Sequence, residues 1–172
     1  MAEETVGYIS LIVPKHKTSQ GNMKIYRLKV SIIGIPGLYR VIELSGNCTF
    51  DDLHEAIFDA FDRFDDHLYS FYITRKPTKN LRKIIEAPEI TSDMMVDDSS
   101  YLKNAPKSAS GTKLDDINLN EKEILYYLFD FGDEWWHRIR VESIKKTKTK
   151  RKFVSIVKVV GESPSQYPDY EE

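Results

Sequence analysis

Two acids and a histidine stand close together in Asp130-Phe131-Gly132-Asp133-Glu134-Trp135-Trp136-His137, and those residue types can do two kinds of chemistry. The carboxylates of Asp130 and Asp133 with the imidazole of His137 could hold a divalent metal, Asp66 and His67 joining the set, or they could move protons as general acid and base. Either would make the chain a metal-assisted hydrolase or nuclease. The competing reading is structural. Asp and Gly at a turn supply local hydrogen bonds and a permissive backbone, and His137 alternates with Trp135 and Ile139 on an apolar strand face. A core histidine outweighs a ligand there, because the spacing matches no metal motif. Asp130-Phe131-Gly132 also spells the magnesium-binding triplet of protein kinases. No glycine-rich loop, strand lysine or His-Arg-Asp loop accompanies it, so the match is a coincidence. No cofactor is identifiable beyond that possible divalent metal.

A second group of residues addresses polyanions. Lys145, Lys146, Lys148, Lys150, Arg151 and Lys152 put six bases into eight residues, and Arg138 and Arg140 on the wet face of the preceding strand would extend the patch. Such a stripe neutralises phosphates without reading bases. Its bland counterpart is a solvated loop whose lysines keep a sheet edge from pairing with other chains. The bland reading weighs more, since the net charge is -2 and no basic aromatic platform accompanies the run. Cys48, beside a helix start, could have a lowered pKa, but no histidine base is placed near it, so a structural thiol is favoured. Ser31 invites comparison with a serine recombinase, yet the following helix offers only Arg63, and the wet face of a strand explains it better.

The elements that must position these residues read clearly in places. Val6 to Val13 is apolar and strand-like until Pro14 ends it, and Lys15 to Asn22 is a polar linker, so residues 1–22 stand apart from a single domain over 23–172. Tyr26, Leu28, Val30 and Ile32 alternate with Arg27, Lys29 and Ser31, the period of a strand with one wet face. Gly34-Ile35-Pro36-Gly37 turns the chain into Leu38 to Leu44, completing a hairpin. Thr49 three residues before Asp52 makes a capping box, and Phe50, Leu53, Ile57, Ala60, Phe61 and Phe64 form an apolar helical stripe. Leu68 to Thr74 is a strand. Pro, Ser and Asp then dominate a long insertion at about 75–120, with short local structure around Leu81 to Ile85. Ile124 to Phe129 and Trp135 to Val141 form a second hairpin, with Trp135, His137, Ile139 and Val141 on its buried face and Trp136, Arg138, Arg140 and Glu142 on the other. Phe153 to Val160 closes as a β-branched strand.

Together these residues resemble the plasmid pRiA4b Orf-three-like family, whose members are also found as passenger proteins of insertion elements. Tyr26-Arg27-Leu28-Lys29-Val30 resembles its opening strand, and Leu53-His54-Glu55-Ala56-Ile57 its Leu-His-x-x-Ile helix. Asp66-His67-Leu68-Tyr69-Ser70-Phe71 resembles its Asp-x-His-Leu-x-x-Phe region. The most specific likeness is Tyr127-Leu128-Phe129-Asp130-Phe131-Gly132-Asp133-Glu134-Trp135 with His137. The chain departs from the family at Ser163-Pro164-Ser165-Gln166-Tyr167-Pro168, where many members carry Cys-Pro-Pro-Glu-Asp. The resemblance implies an α+β fold and no established activity.

The chain of 172 residues, 41% hydrophobic and 12% aromatic, is long enough to bury one core without metal or disulfide. Its single Cys48 excludes an intrachain disulfide framework and points to a reducing compartment. No apolar run reaches about 18 residues and no basic leader opens the chain, so a cytoplasmic address with no membrane contact is expected. The fold expected is α+β: a mainly antiparallel sheet of about five or six strands, two hairpins plus further strands, with one capped helix packed on one face. A β-grasp-like arrangement is a second expectation. The function expected is a non-enzymatic binding or accessory module, partnered by protein or nucleic acid and linked by resemblance to plasmids or mobile elements. The metal-assisted hydrolase or nuclease is the alternative.

Overall fold

In the computed structural model, which describes residues 22–97 and 102–168, the first alternating run is β1 (Met23–Ile32). Gly34 and Gly37, both at the positive φ that a Cβ disfavours, turn it into β2 (Tyr39–Ser45). The strand-like stretch Val6 to Val13 lies outside the described residues. The capping box then starts α1 (Phe50–Ala60): the Asp52 N–H donates to Thr49 Oγ1 at 3.1 Å, and the Thr49 N–H donates to Asp52 Oδ2 at 2.7 Å. Asp51 and Asp52 also complement the positive end of the helix dipole. Phe50, Leu53, Ala56 and Ile57 are buried, but the stripe stops short of Phe64, which is 71% exposed. Asp62 takes a left-handed conformation and turns the chain out of the helix before that residue.

The remaining elements are β3 (Tyr69–Tyr72), α2 (Leu81–Ile85), β4 (Glu89–Thr91), β5 (Lys107–Ser108), β6 (Ile124–Phe129), β7 (Trp135–Thr147) and β8 (Val154–Val160). They form one sheet in the order β5-β4-β3-β6-β7-β1-β2-β8. Every pairing is antiparallel except β4 with β5. The α+β class, both hairpins and the capped helix agree with the sequence, while the strand count becomes eight and the sheet is open rather than β-grasp-like. The two additional strands, β4 and β5, are three and two residues long, too short to show a period. They come from the stretch read as an insertion. That stretch also sends Ile90, Ala109, Leu114 and Leu119 into the main core, so it is part of the domain's interior.

Strand β6 is buried at all six positions, which explains its unbroken apolar run: Leu125, Tyr127 and Phe129 face α1, whereas Ile124, Tyr126 and Leu128 face the other side. The sheet thus has an inner face, closed by α1, and an outer face, partly roofed by α2. Its two edges differ. One is the two-residue β5; the other is β8, exposed at all but its last residue. No helix among the described residues is long and apolar enough to cross a membrane.

Candidate functional site

Strand alternation takes the sequence-predicted corner apart. His137 points into the inner face and is 1% exposed; its Nδ1 lies 2.9 Å from the Trp135 carbonyl oxygen and so carries the proton. Burial first, and the nearby Arg63 charge second, push its pKa down to about 3, leaving a neutral ring. Asp130 stays at the turn in a left-handed conformation, where Oδ1 accepts the Gly132 N–H at 2.9 Å and the Asp133 N–H at 3.3 Å. Its other oxygen lies 3.5 Å from His67 Nε2. That histidine also meets the Tyr167 hydroxyl at 2.7 Å and Asp65 at 3.7 Å. Asp133 is exposed. Asp66 turns to a different histidine, His54, at 3.4 Å. Of the five candidates only the His67 and Asp130 side chains are paired, and Asp66 shares a cleft with His67. The described residues bring together no three His, Cys, Asp or Glu side chains in a metal-holding arrangement.

His54 is a candidate side chain that no motif of chemistry in the sequence marks. It is 1% exposed, stacks on Tyr69 at 3.7 Å between ring centres, and meets the buried Tyr127 hydroxyl through Nδ1 at 2.7 Å. Nε2 faces Asp66, with Glu55 at 3.8 Å. His54, Asp66 and Glu55, with Asp51, His67 and Tyr69, line a cleft of about 340 Å³. Burial pushes the His54 imidazole down against the pull of Asp66 and Asp51, and pushes the Tyr127 phenol well up. The Tyr69 phenol is raised by burial and by the hydrogen bond it donates to Asp51. Burial and the neighbouring carboxylates raise Glu55. The result is a neutral imidazole hydrogen-bonded to a buried phenol on one side and facing an acidic cleft on the other. A signal existed: Phe50, Leu53, His54 and Ile57 fall at i, i+3, i+4 and i+7, which puts the histidine on the buried stripe.

The outer face carries the larger hollow, about 710 Å³, between α2 and the sheet. Trp136, Tyr126 and Ile33 form its floor, Leu81, Ile84 and Pro77 its roof, and Lys79 and Arg138 its polar lining. Tyr126 fastens the roof to the floor, donating to the Thr78 carbonyl at 2.7 Å and accepting the Thr78 N–H at 2.9 Å. No carboxylate among the described residues lines the groove. Beyond it, Arg138 lies opposite Ser31 and Arg140 opposite Lys29 in the β1–β7 ladder. The Lys29 and Lys158 ammonium groups stand 4.0 Å and 5.5 Å from the Tyr39 ring centre. Like charges directly opposed across strands are unfavourable, and none of these four cations has an ion-pair partner among the described residues.

The lysine run is separate from this group. Lys145 and Lys146 end β7, and Lys148, Lys150, Arg151 and Lys152 lie between β7 and β8. Lys152 is engaged by Asp52 at 2.7 Å. Between the run and Arg138 and Arg140 sits Arg27, bridged to Glu43 at 2.8 Å and Glu142 at 3.1 Å. Those two carboxylates break the single stripe expected from sequence into two patches. Cys48 is buried and donates to the Phe153 carbonyl at 3.3 Å, and burial raises its pKa, so the thiolate is disfavoured. Ser31 sits half-exposed on the outer face.

The model of plasmid pRiA4b ORF-3-like proteins matches residues 24–166. A crystal structure of a protein of unknown function from Methanosarcina mazei Go1 is similar over 79% of this chain and 70% of that chain, at 30% identity and a TM-score of 0.58. Among curated proteins none matches.

Proposed function

The chain belongs to the plasmid pRiA4b ORF-3-like family, and from that premise we propose that it is a non-enzymatic, cytoplasmic binding module that grips a protein partner in the outer-face groove. One observation carries the reading: a hollow of about 710 Å³, walled by apolar and aromatic side chains, whose only charges are Lys79 and Arg138. Concave apolar sites of roughly 300–1,000 Å³ with a few placed polar groups are where ligands bind. The matching segment is a bulky apolar side chain with an acidic neighbour, since the groove and the adjacent Arg140 and Lys29 offer positive charge alone. An accessory role beside plasmid-encoded proteins fits a family named for a plasmid open reading frame.

Trp136 reports on the groove. In a Trp135→Phe background, synthetic peptides carrying leucine or tryptophan beside glutamates should change Trp136 fluorescence saturably, and Leu81→Glu should abolish the change. Peptides that leave the fluorescence unmoved would end this reading. If single-stranded nucleic acid binds instead, log K should fall with log salt at a slope of about -0.7 per phosphate contact. Loss of that binding on replacing Arg138 and Arg140 would move the partner class while keeping the face.

A second reading has the His54 cleft behind it. A hydrolase or nuclease there would use His54 with Asp66 and Glu55, in place of a metal corner made by Asp130, Asp133 and His137, since the described residues hold no metal-binding group. Hydrolase and nuclease assays with and without added manganese or zinc test it; no turnover in either would dispose of it.

A further inference from the structure

Four buried side-chain atoms lack a hydrogen-bond partner among the described residues, and all lie on three neighbouring residues: Arg63 Nε and Nη2, Trp135 Nε1 and His137 Nε2. The Arg63 guanidinium stands 4.1 Å over the Trp135 ring, and His137 is bonded to the Trp135 carbonyl. Arg63 reaches this place because the left-handed Asp62 ends α1 and the Arg63 N–H caps it on the Phe58 carbonyl at 3.0 Å. Only Nη1 has a partner, the Pro164 carbonyl at 3.3 Å.

The identity of the free atoms matters more than their number. Nε and Nη2 form one edge of the guanidinium, two parallel N–H donors whose spacing matches the two oxygens of a carboxylate. Arg63 is 7% exposed, and no carboxylate lies within ion-pair distance among the described residues. Water can satisfy N–H groups but leaves a buried charge uncompensated, which is costly. Trp135 adds a donor with no acceptor capacity. His137, neutral at this burial, leaves Nε2 as an unpartnered acceptor beside them. Trp135 also borders a hollow of about 300 Å³ lined by Ile32, Ile35, Asp133, Glu134 and Pro168, so the same ring adjoins both the buried fork and open space, with two acids in the lining that favour a small ligand over a larger anion.

We propose that Arg63, Trp135 and His137 form a buried receptor for a small carboxylate, held bidentately by the free edge of Arg63. The site is independent of the groove on the outer face, and neither proposal needs the other.

Formate and acetate are the probes, titrated at constant ionic strength into the full chain labelled with 15N-tryptophan, with chloride as the control. The Trp135 indole N–H resonance should shift saturably with the carboxylates and not with chloride, while the Trp136 resonance stays put. Arg63→Lys keeps a positive charge without the parallel fork and should weaken binding about tenfold or more, the scale of hydrogen bonds to charged groups. Trp135→Phe keeps the stacking and removes one donor; melting curves with and without acetate should then show a smaller stabilisation than in the parent chain. An equal response to chloride, or an indole resonance that no anion moves, would overturn the proposal and leave the fork to ordered water. Should Arg63→Lys not fold, the parent titration and Trp135→Phe decide the matter.

Discussion

The two faces of the sheet use the same kinds of residue to opposite ends. On the inner face α1 lies over rings and histidines so closely that His54, Tyr127 and His137 are buried among Phe61, Tyr69, Phe71 and Phe129. Their protonation is governed by burial. On the outer face the roof is one five-residue helix, and aromatic residues of the same sheet border an open hollow flanked by cations. A capped eleven-residue helix with a continuous stripe can close a face. A helix too short to hold itself by internal hydrogen bonds depends on the sheet beneath it, and here it leaves a groove. Enclosure fixes charge states; partial cover creates room for a partner.

The largest expected effect belongs to the closed face. Phe50, fully buried and edge-on to Phe71 at 5.1 Å between ring centres, should cost about 3–5 kcal/mol when replaced by Ala. Chemical denaturation measures it, and a loss under about 1 kcal/mol would show that α1 does not seal the core. Next comes acid. A histidine held near 3 when folded and near about 6.5 when unfolded binds its proton preferentially in the unfolded chain. Stability from His137 is therefore complete above about pH 6.5 and is lost as pH falls towards 3, by about 1.4 kcal/mol per unit in that window. His54, lowered in the same direction, adds to the slope. Stability curves at several pH values should be shallower for His137→Leu; an unchanged slope would assign the acid sensitivity elsewhere.

The open face should yield less. Leu81, 52% exposed over the groove, should cost under about 1 kcal/mol as Ala, because little of its surface leaves water on folding. A cost like that of Phe50 would make the groove a second closed core and erase the contrast. Smallest of all is Lys152→Gln: its bridge to Asp52 joins side chains 52% and 26% exposed, and such pairs contribute about 0.2–1 kcal/mol. The difference should shrink further at high salt; a loss that salt does not reduce would point to packing by the lysine stem.

What could be read from sequence follows from the range of the interactions involved. The alternation from Tyr26 to Ile32, the Thr49–Asp52 box and the two faces of β7 are set by neighbours within a few residues, and all three stand in the structure. So does the short structure around Leu81 to Ile85. The edge strands β4 and β5 are defined by partners across the sheet and carry no pattern of their own. Asp130 and His67 are both named by the sequence, but their meeting depends on β3 pairing with β6. His137 parted from Asp133 because the turn ends before β7 begins its alternation. The groove was invisible for a related reason: Trp136 and Arg138 read as a wet face, and only the placement of α2 above them makes a wall. Arg63 read as an isolated base because its burial follows from one left-handed residue at Asp62.

The position of β1 has a consequence in time. It is synthesised first among the described strands, yet it lies between β2 and β7, and its pairing with β7 joins residues as far apart as Met23 and Thr147. The hairpin with β2 can form at once, whereas the other side of β1 has no mate until about 110 further residues have been made. At roughly 5–20 residues per second that is a wait of about 5–20 s on the ribosome. The apolar residues of β1 are meanwhile uncovered, and the sheet cannot complete its centre before its β5 edge has been translated. Through that interval the hairpin presents an unpaired apolar strand edge, the kind of surface on which nascent chains aggregate.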